Sequence, residues 1–286
     1  MAFQASKKRE RRARQPLALG KPIGPSAAVR VWAESQVNSV VAAMLEDYRA
    51  EIKKALENPE VQEHFAADAA ETSVFQAVLR RLQRKWGEVF RGFSAKYSEE
   101  FVEKVDEHAK SSTWYSLSAA GVTQPRSTYS ANVANTIQAA KDLNFTLVTR
   151  VQEEVHEKIY TAVMLSLTSP NPEEQGASGI QNALKEVGIT AKKRVELITR
   201  DQTSKMYSSL ASERLRQNGC THFKWLHSSA GKTPRESHLE KDGEIFEIDD
   251  PRLWEGPKGD QGPPGWAINC RCRMTPVFGY ADEDEE

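Results

Sequence analysis

The sequence predicts an α+β protein: an elongated, mostly α-helical N-terminal region followed by a small α+β C-terminal module. Three observations lead there. Apolar residues recur at three- and four-residue spacing over most of the chain before Pro170, which is the spacing of one helix face. Charged residues make up 28% of the 286 positions against 39% apolar, a balance that suits long solvated helices better than a compact sheet enzyme. After Gly219 the pattern turns to alternation, and Pro and Gly become frequent.

The elements follow in order. Ser26 is a good N-cap for a first helix whose face is Val29, Trp32, Ala33, Val37, Val40, Val41, Met44, Leu45 and Tyr48, and Asn58-Pro59 ends it. A second run carries Val74, Phe75, Val78, Leu79, Leu82, Trp86, Val89, Phe90 and Phe93, with Gly87 and Gly92 weakening its later turns. Ser98 opens a third run through Phe101, Val102 and Val105, fading by Gly121. A fourth spans about 128–167 with its face at Val148, Val151, Val155, Ile159, Val163 and Leu167. Nothing before Pro170 reads as a strand, so this region is a set of packed helices in which Trp32, Trp86 and Trp114 serve as core or interface anchors. A turn-rich connector, "SPNPEEQGASG", leads to a short helix Ile180–Val187 ending at Gly188; Thr190 then caps a long helix that stops at Gly219. "THFKWLH", "GEIFEI" and "RMTPVF" alternate as strands, with Pro276 confining the last to a sheet edge.

The division expected is a basic unfolded arm at 1–25, a helical region at 26–170, the α+β module at 171–279 and an acidic tail at 280–286. Both ends are runs of like charge, which repel themselves. In the arm, Lys7, Lys8, Arg9, Arg11, Arg12 and Arg14 could meet the phosphates of DNA or an acidic partner, or simply remain solvated. No apolar run is long enough to span a bilayer and no apolar stretch follows the basic N-terminus, so a soluble, cytoplasmic product without membrane contact is expected.

Chemistry-bearing side chains concentrate in the module. Three cysteines in a chain of this length are no disulfide framework, and Cys270 and Cys272 stand too close in sequence to pair well. One reading is zinc, held by His238, Cys270, Cys272 and a fourth ligand from Cys220, His222 or His227. A second is a thiolate nucleophile activated by Arg271 and Arg273 with His238 as base. A third is a buried polar clamp in which Arg235, His238 and Asp242 pin loops together, with no cofactor. There is no phosphate loop, dinucleotide fingerprint, zincin helix or nucleophile elbow.

Read in order, "KKRVELITRDQTSKMYSSLASERLRQNG", "FKWLHS", "PRESHLEKDGEIFEI" and "PPGWAINCRCRMTPV" resemble the C-terminal domain of phage head morphogenesis proteins, the Mu F-like minor head protein family. Arg200 and Gln202 match the family's arginine and polar partner on the helix, and Trp225 its strand tryptophan. Arg235 and His238 match its R-x-x-H element, Asp242 and Gly243 its Asp-Gly turn, and Asn269, Cys270, Arg271 and Cys272 its N-C-R-C signature. Where members often carry an acidic residue shortly before the arginine, this chain has Lys232 and Thr233. The resemblance implies a structural minor head protein, not an enzyme. Such a protein associates with the portal and procapsid, is found in the virion, and is in the host cytoplasm during assembly. The rival classes are a nucleic-acid-binding protein acting through the arm and an enzyme using the Cys/His cluster.

Overall fold

A computed structural model describes residues 17–59, 72–125, 129–169, 171, 176–229 and 233–279. Four long helices dominate it. Helix α1 (Ala27–Leu56) starts where Ser26 accepts a hydrogen bond from the Val29 amide, and α3 (Ala131–Thr168) starts the same way at Ser130 with Val133. Between them α2 (Thr72–Ala119) runs unbroken for 48 residues, about 70 Å at 1.5 Å per residue. The second and third runs of the sequence are therefore one helix. Ser98 does not cap it; its hydroxyl donates to the Ala95 carbonyl within the turn. Gly87 and Gly92 are carried because Phe90, Phe93, Tyr97 and Phe101 form a continuous ladder of rings with centroids 5.6–6.3 Å apart. Burying that ladder outweighs a glycine penalty of about 1 kcal/mol each.

Helix α4 (Gly176–Gln217) likewise runs through Gly188, and Thr190 donates back to the Glu186 carbonyl instead of capping a new helix. Gly188 sits where α4 crosses α1: a Cβ there would lie 3.5 Å from Leu45 Cδ1. Its smallness serves the close approach of two helices, not a stop. Gly219, with φ 72°, is the stop the sequence predicts. The sequence division places α4 with the C-terminal module. In the structure it packs along α1, α2 and α3, and one continuous core joins the helices to the sheet.

The sheet is antiparallel throughout, with β1 (Ala18–Leu19), β2 (His222–Leu226), β3 (Ile245–Glu247) and β4 (Arg273–Phe278) in the order β1-β4-β2-β3. Two expectations are corrected here. The first concerns residues 17–25, which are not part of an unfolded arm. Leu19 pairs with Val277, the Gly20 amide donates to the Pro276 carbonyl, and Ile23 bridges Met274 and is buried. Ser116 and His108 of α2 hydrogen-bond the carbonyls of Lys21 and Gly24. Gly20 is required: a Cβ would sit 2.9 Å from the Ser116 carbonyl oxygen. The second concerns Pro276, which lies in an interior strand, opposite Phe223. Its missing N–H faces the side covered by β1, where the named strand ends at Leu19, so the ladder to β2 is intact.

Candidate metal and clamp site

His238, Cys270 and Cys272 meet at one end of the sheet. His238 is presented by α5 (Glu236–Glu240), a single helical turn. The two cysteines lie on the approach to β4, after a Pro/Gly-rich loop that holds a 3-10 turn at Pro251–Trp254. The approach is set by Asn269, whose φ of 61° makes it the one non-glycine residue with left-handed backbone among those described. That turn lets both Cys270 and Cys272 face inward while Ile268, Asn269 and Arg271 face out.

All three ligand-type atoms lie within 4.8 Å of one another and all three residues are buried. Nδ1 of His238 is 3.6 Å from each sulfur. Its other nitrogen, Nε2, lies 3.2 Å from the Asp260 carbonyl oxygen. A carbonyl can only accept, so Nε2 carries the proton and the Nδ1 lone pair points at the sulfurs. The indole of Trp225 packs edge-on against the imidazole, with centroids 5.3 Å apart. The Cys270 sulfur accepts from the Gly265 amide at 3.4 Å. A hydrogen bond from the Cys272 thiol, with help from the Gly265 amide, holds Cys270 far below the ordinary thiol range despite its burial. The same hydrogen bond, together with burial, pushes Cys272 up. The pair thus loses one proton readily and keeps the second, as two close sulfurs must.

A second layer ties the surrounding loops. Arg235 reaches Asp260 at 2.5 Å and the Ile268 carbonyl at 2.7 Å; Ser237 donates to Asp260 at 2.9 Å. Asp242 accepts from the His227 amide at 2.7 Å, and Gly243, with φ 86°, closes the turn back onto the Trp225 carbonyl. Arg200 on α4 donates to the Asn269 side chain at 3.1 Å and pairs with Glu196. The structure therefore gathers Arg200, Trp225, Arg235, His238, Asp242, Gly243, Asn269, Cys270 and Cys272 around one place. Arg271 is exposed on its rim, lining a cleft of about 330 Å³ with His227, Arg235, His238 and both cysteines. Gln202 stands apart: it is buried on α4, and its amide donates to Asp201.

Of the fourth zinc ligands weighed from sequence, Cys220 is fully buried elsewhere, against the carbonyls of His222 and Val277, and His222 lies beside Thr221 and Glu247. Only His227 lines the cleft. Asp260 and Gly265 are neighbours of the site that sequence reasoning misses: the Asp260 carbonyl and the Gly265 amide face the cluster, and the Asp260 carboxylate meets Arg235 and Ser237 only because the loop brings it there. The arm residues Lys7, Lys8, Arg9, Arg11, Arg12 and Arg14 and the tail at 280–286 lie outside the described residues. No helix among those described is long and apolar enough to cross a membrane.

Residues 157–275 match the family described as Phage Mu protein F like protein. A Haemophilus influenzae protein (strain ATCC 51907 / DSM 11121 / KW20 / Rd) described as uncharacterized is 28% identical over 271 residues. The alignment covers 90% of this chain and 55% of that protein, so the chain spans about half the length of that relative. No solved structure matches.

Proposed function

We propose that the protein, whose residues 157–275 match the Phage Mu protein F like family, is a structural minor component of a phage head that acts in head morphogenesis. The observation that carries this reading is the coincidence of module and clamp. Arg200, Trp225, Arg235, His238, Asp242, Gly243 and the Asn269–Cys272 run all fall inside the matched span and converge on one site. The sulfurs and imidazole there are buried and tied to loop backbone, which suits a stiff structural element better than a catalytic centre.

In this reading the helical body, about 26–167, attaches the protein to the portal and procapsid. The three tryptophans divide clearly. Trp86 is core, donating its indole N–H to Asp47 at 2.7 Å. Trp32 is half-buried, stacked on Tyr97 under Lys104. Trp114 is 59% exposed and borders a cleft of about 220 Å³ with Lys110, Leu117, Pro125 and Arg214. Large aromatic residues with neighbouring cations commonly dominate binding energy, so Trp114 is the attachment residue of choice. Trp114→Ala should leave the protein folded and abolish its co-purification with portal-containing heads. Retained co-purification by the folded Trp114→Ala protein would place attachment elsewhere.

The basic arm supports a second contact, with DNA. Its charges lie immediately upstream of β1 in the sequence. Binding through Lys7, Lys8, Arg9, Arg11, Arg12 and Arg14 would be sequence-independent and weaken steeply with salt. Affinity measured at two salt concentrations, with and without residues 1–16, tests it; equal affinity after truncation removes the arm from the account.

A further inference from the structure

We propose that His238 Nδ1 and the sulfurs of Cys270 and Cys272 form a binding site for a soft or borderline divalent cation, zinc foremost, whose fourth ligand is a water from the adjoining cleft. Geometry is the first support. Tetrahedral zinc with its usual bond lengths places a sulfur and a nitrogen ligand about 3.6 Å apart and two sulfurs about 3.8 Å apart. Both sulfur–nitrogen separations here are 3.6 Å, and all three atoms fit within 4.8 Å.

The surroundings are those of a ligand set. The Asp260 carbonyl holds the proton on Nε2, leaving Nδ1 as a lone-pair donor aimed at the sulfurs. The Gly265 amide donates to the Cys270 sulfur. The Trp225 indole N–H is buried beside the Cys272 sulfur, which as a metal-bound thiolate would be a strong acceptor for it. Two thiolates and one neutral imidazole favour zinc over magnesium or calcium, which take oxygen ligands. Among the described residues no fourth Cys, His or carboxylate joins the cluster, and the three ligands line the cleft of about 330 Å³. Water reaches the metal from that side.

The cation would tie α5 to the loop entering β4 across the Pro/Gly-rich segment between them, joining residues far apart in sequence by bonds rather than by weak contacts. Binding needs both sulfurs as thiolates and releases to solvent whatever thiol protons the pair still holds, so affinity falls as pH falls. The proposal stands apart from the head-assembly reading, because its test uses only the isolated full-length protein.

The experiment is metal analysis of that protein, purified under reducing conditions from zinc-supplemented cells, followed by chelator treatment and titration with cobalt(II). The expected result is one zinc per chain, and in the stripped protein a cobalt spectrum with a sulfur-to-cobalt charge-transfer band and the intense visible bands of a tetrahedral site. His238→Gln and the double variant Cys270→Ser/Cys272→Ser should lose both, while Cys220→Ala keeps both. The stripped wild-type protein needs no substitution, so the cobalt titration stands even where a variant fails to fold. Folded wild-type protein with no bound metal and no cobalt bands overturns the proposal, as do bands that persist in the double cysteine variant.

Discussion

At Asn269 the backbone takes a left-handed conformation, φ 61°, that costs most residues about 1–2 kcal/mol and asparagine less. The side chain then accepts from Arg200, so one residue sets the loop's direction and ties it to α4. Asn269→Ala should destabilise the protein by about 1–2 kcal/mol, and Asn269→Gly should recover the backbone part but not the Arg200 bond. Chemical denaturation of the three proteins checks the order. The cysteine pair makes a separate prediction: Cys270→Ser/Cys272→Ser should lower the melting temperature, because buried hydroxyls replace two sulfurs matched to Nδ1 and to the Gly265 amide. An unchanged melting temperature would leave the pair without a stabilising role. At this scale the sequence was legible where a side chain does the work, as at His238, Arg235 and the cysteines. It was silent at Asp260 and Gly265, whose contributions include backbone groups positioned by a loop.

Among the elements, α2 and α3 show how burial separates residues of one type. Trp86→Ala should cost about 3–5 kcal/mol, since the ring is buried against Phe90 and its N–H is bonded to Asp47. Trp114→Ala, at an exposed site, should stay within about 0.5 kcal/mol. Thermal melts of both variants test this division. His156 on α3 is buried with Nδ1 2.7 Å from the Tyr48 hydroxyl of α1, and burial lowers its pKa below the ordinary 6.5. The sign follows from linkage. Below 6.5 the unfolded chain binds a proton that the folded chain resists, so this histidine subtracts stability progressively as pH falls from 6.5 towards its folded value. Above 6.5 it has no such effect. His156→Gln, which keeps a polar partner for Tyr48, should flatten the acid side of the stability–pH profile; a profile parallel to wild type would contradict this.

Across the whole molecule, the first and last described strands are joined, because β1 covers the open side of β4. The reference is a chain without residues 1–16, which keeps β1 and Ile23. Deleting residues 1–25 should lower the melting temperature and promote association. That deletion removes the buried Ile23, frees Ser116 and His108 from their carbonyl partners and bares the edge of a long strand. Melting and size-exclusion chromatography of the two truncations separate the outcomes.

The sequence by itself determined the helix faces, the serine cap at Ser26, the stop at Gly219 and the three alternating strands after it, because each depends on neighbours within a few positions. It also pointed to His238, Cys270 and Cys272 by residue type. Only the tertiary structure decided that Gly188 lies at a helix crossing and not at a helix end, and that α2 continues through two glycines on its ladder of rings. It likewise decided that a two-residue strand from the N-terminus completes the sheet, and that Pro276 can occupy an interior strand. Apart from the ring ladder, whose members are neighbours along α2, those outcomes turn on partners distant in sequence, and in all of them packing or sheet pairing outweighs a local preference of about 1 kcal/mol.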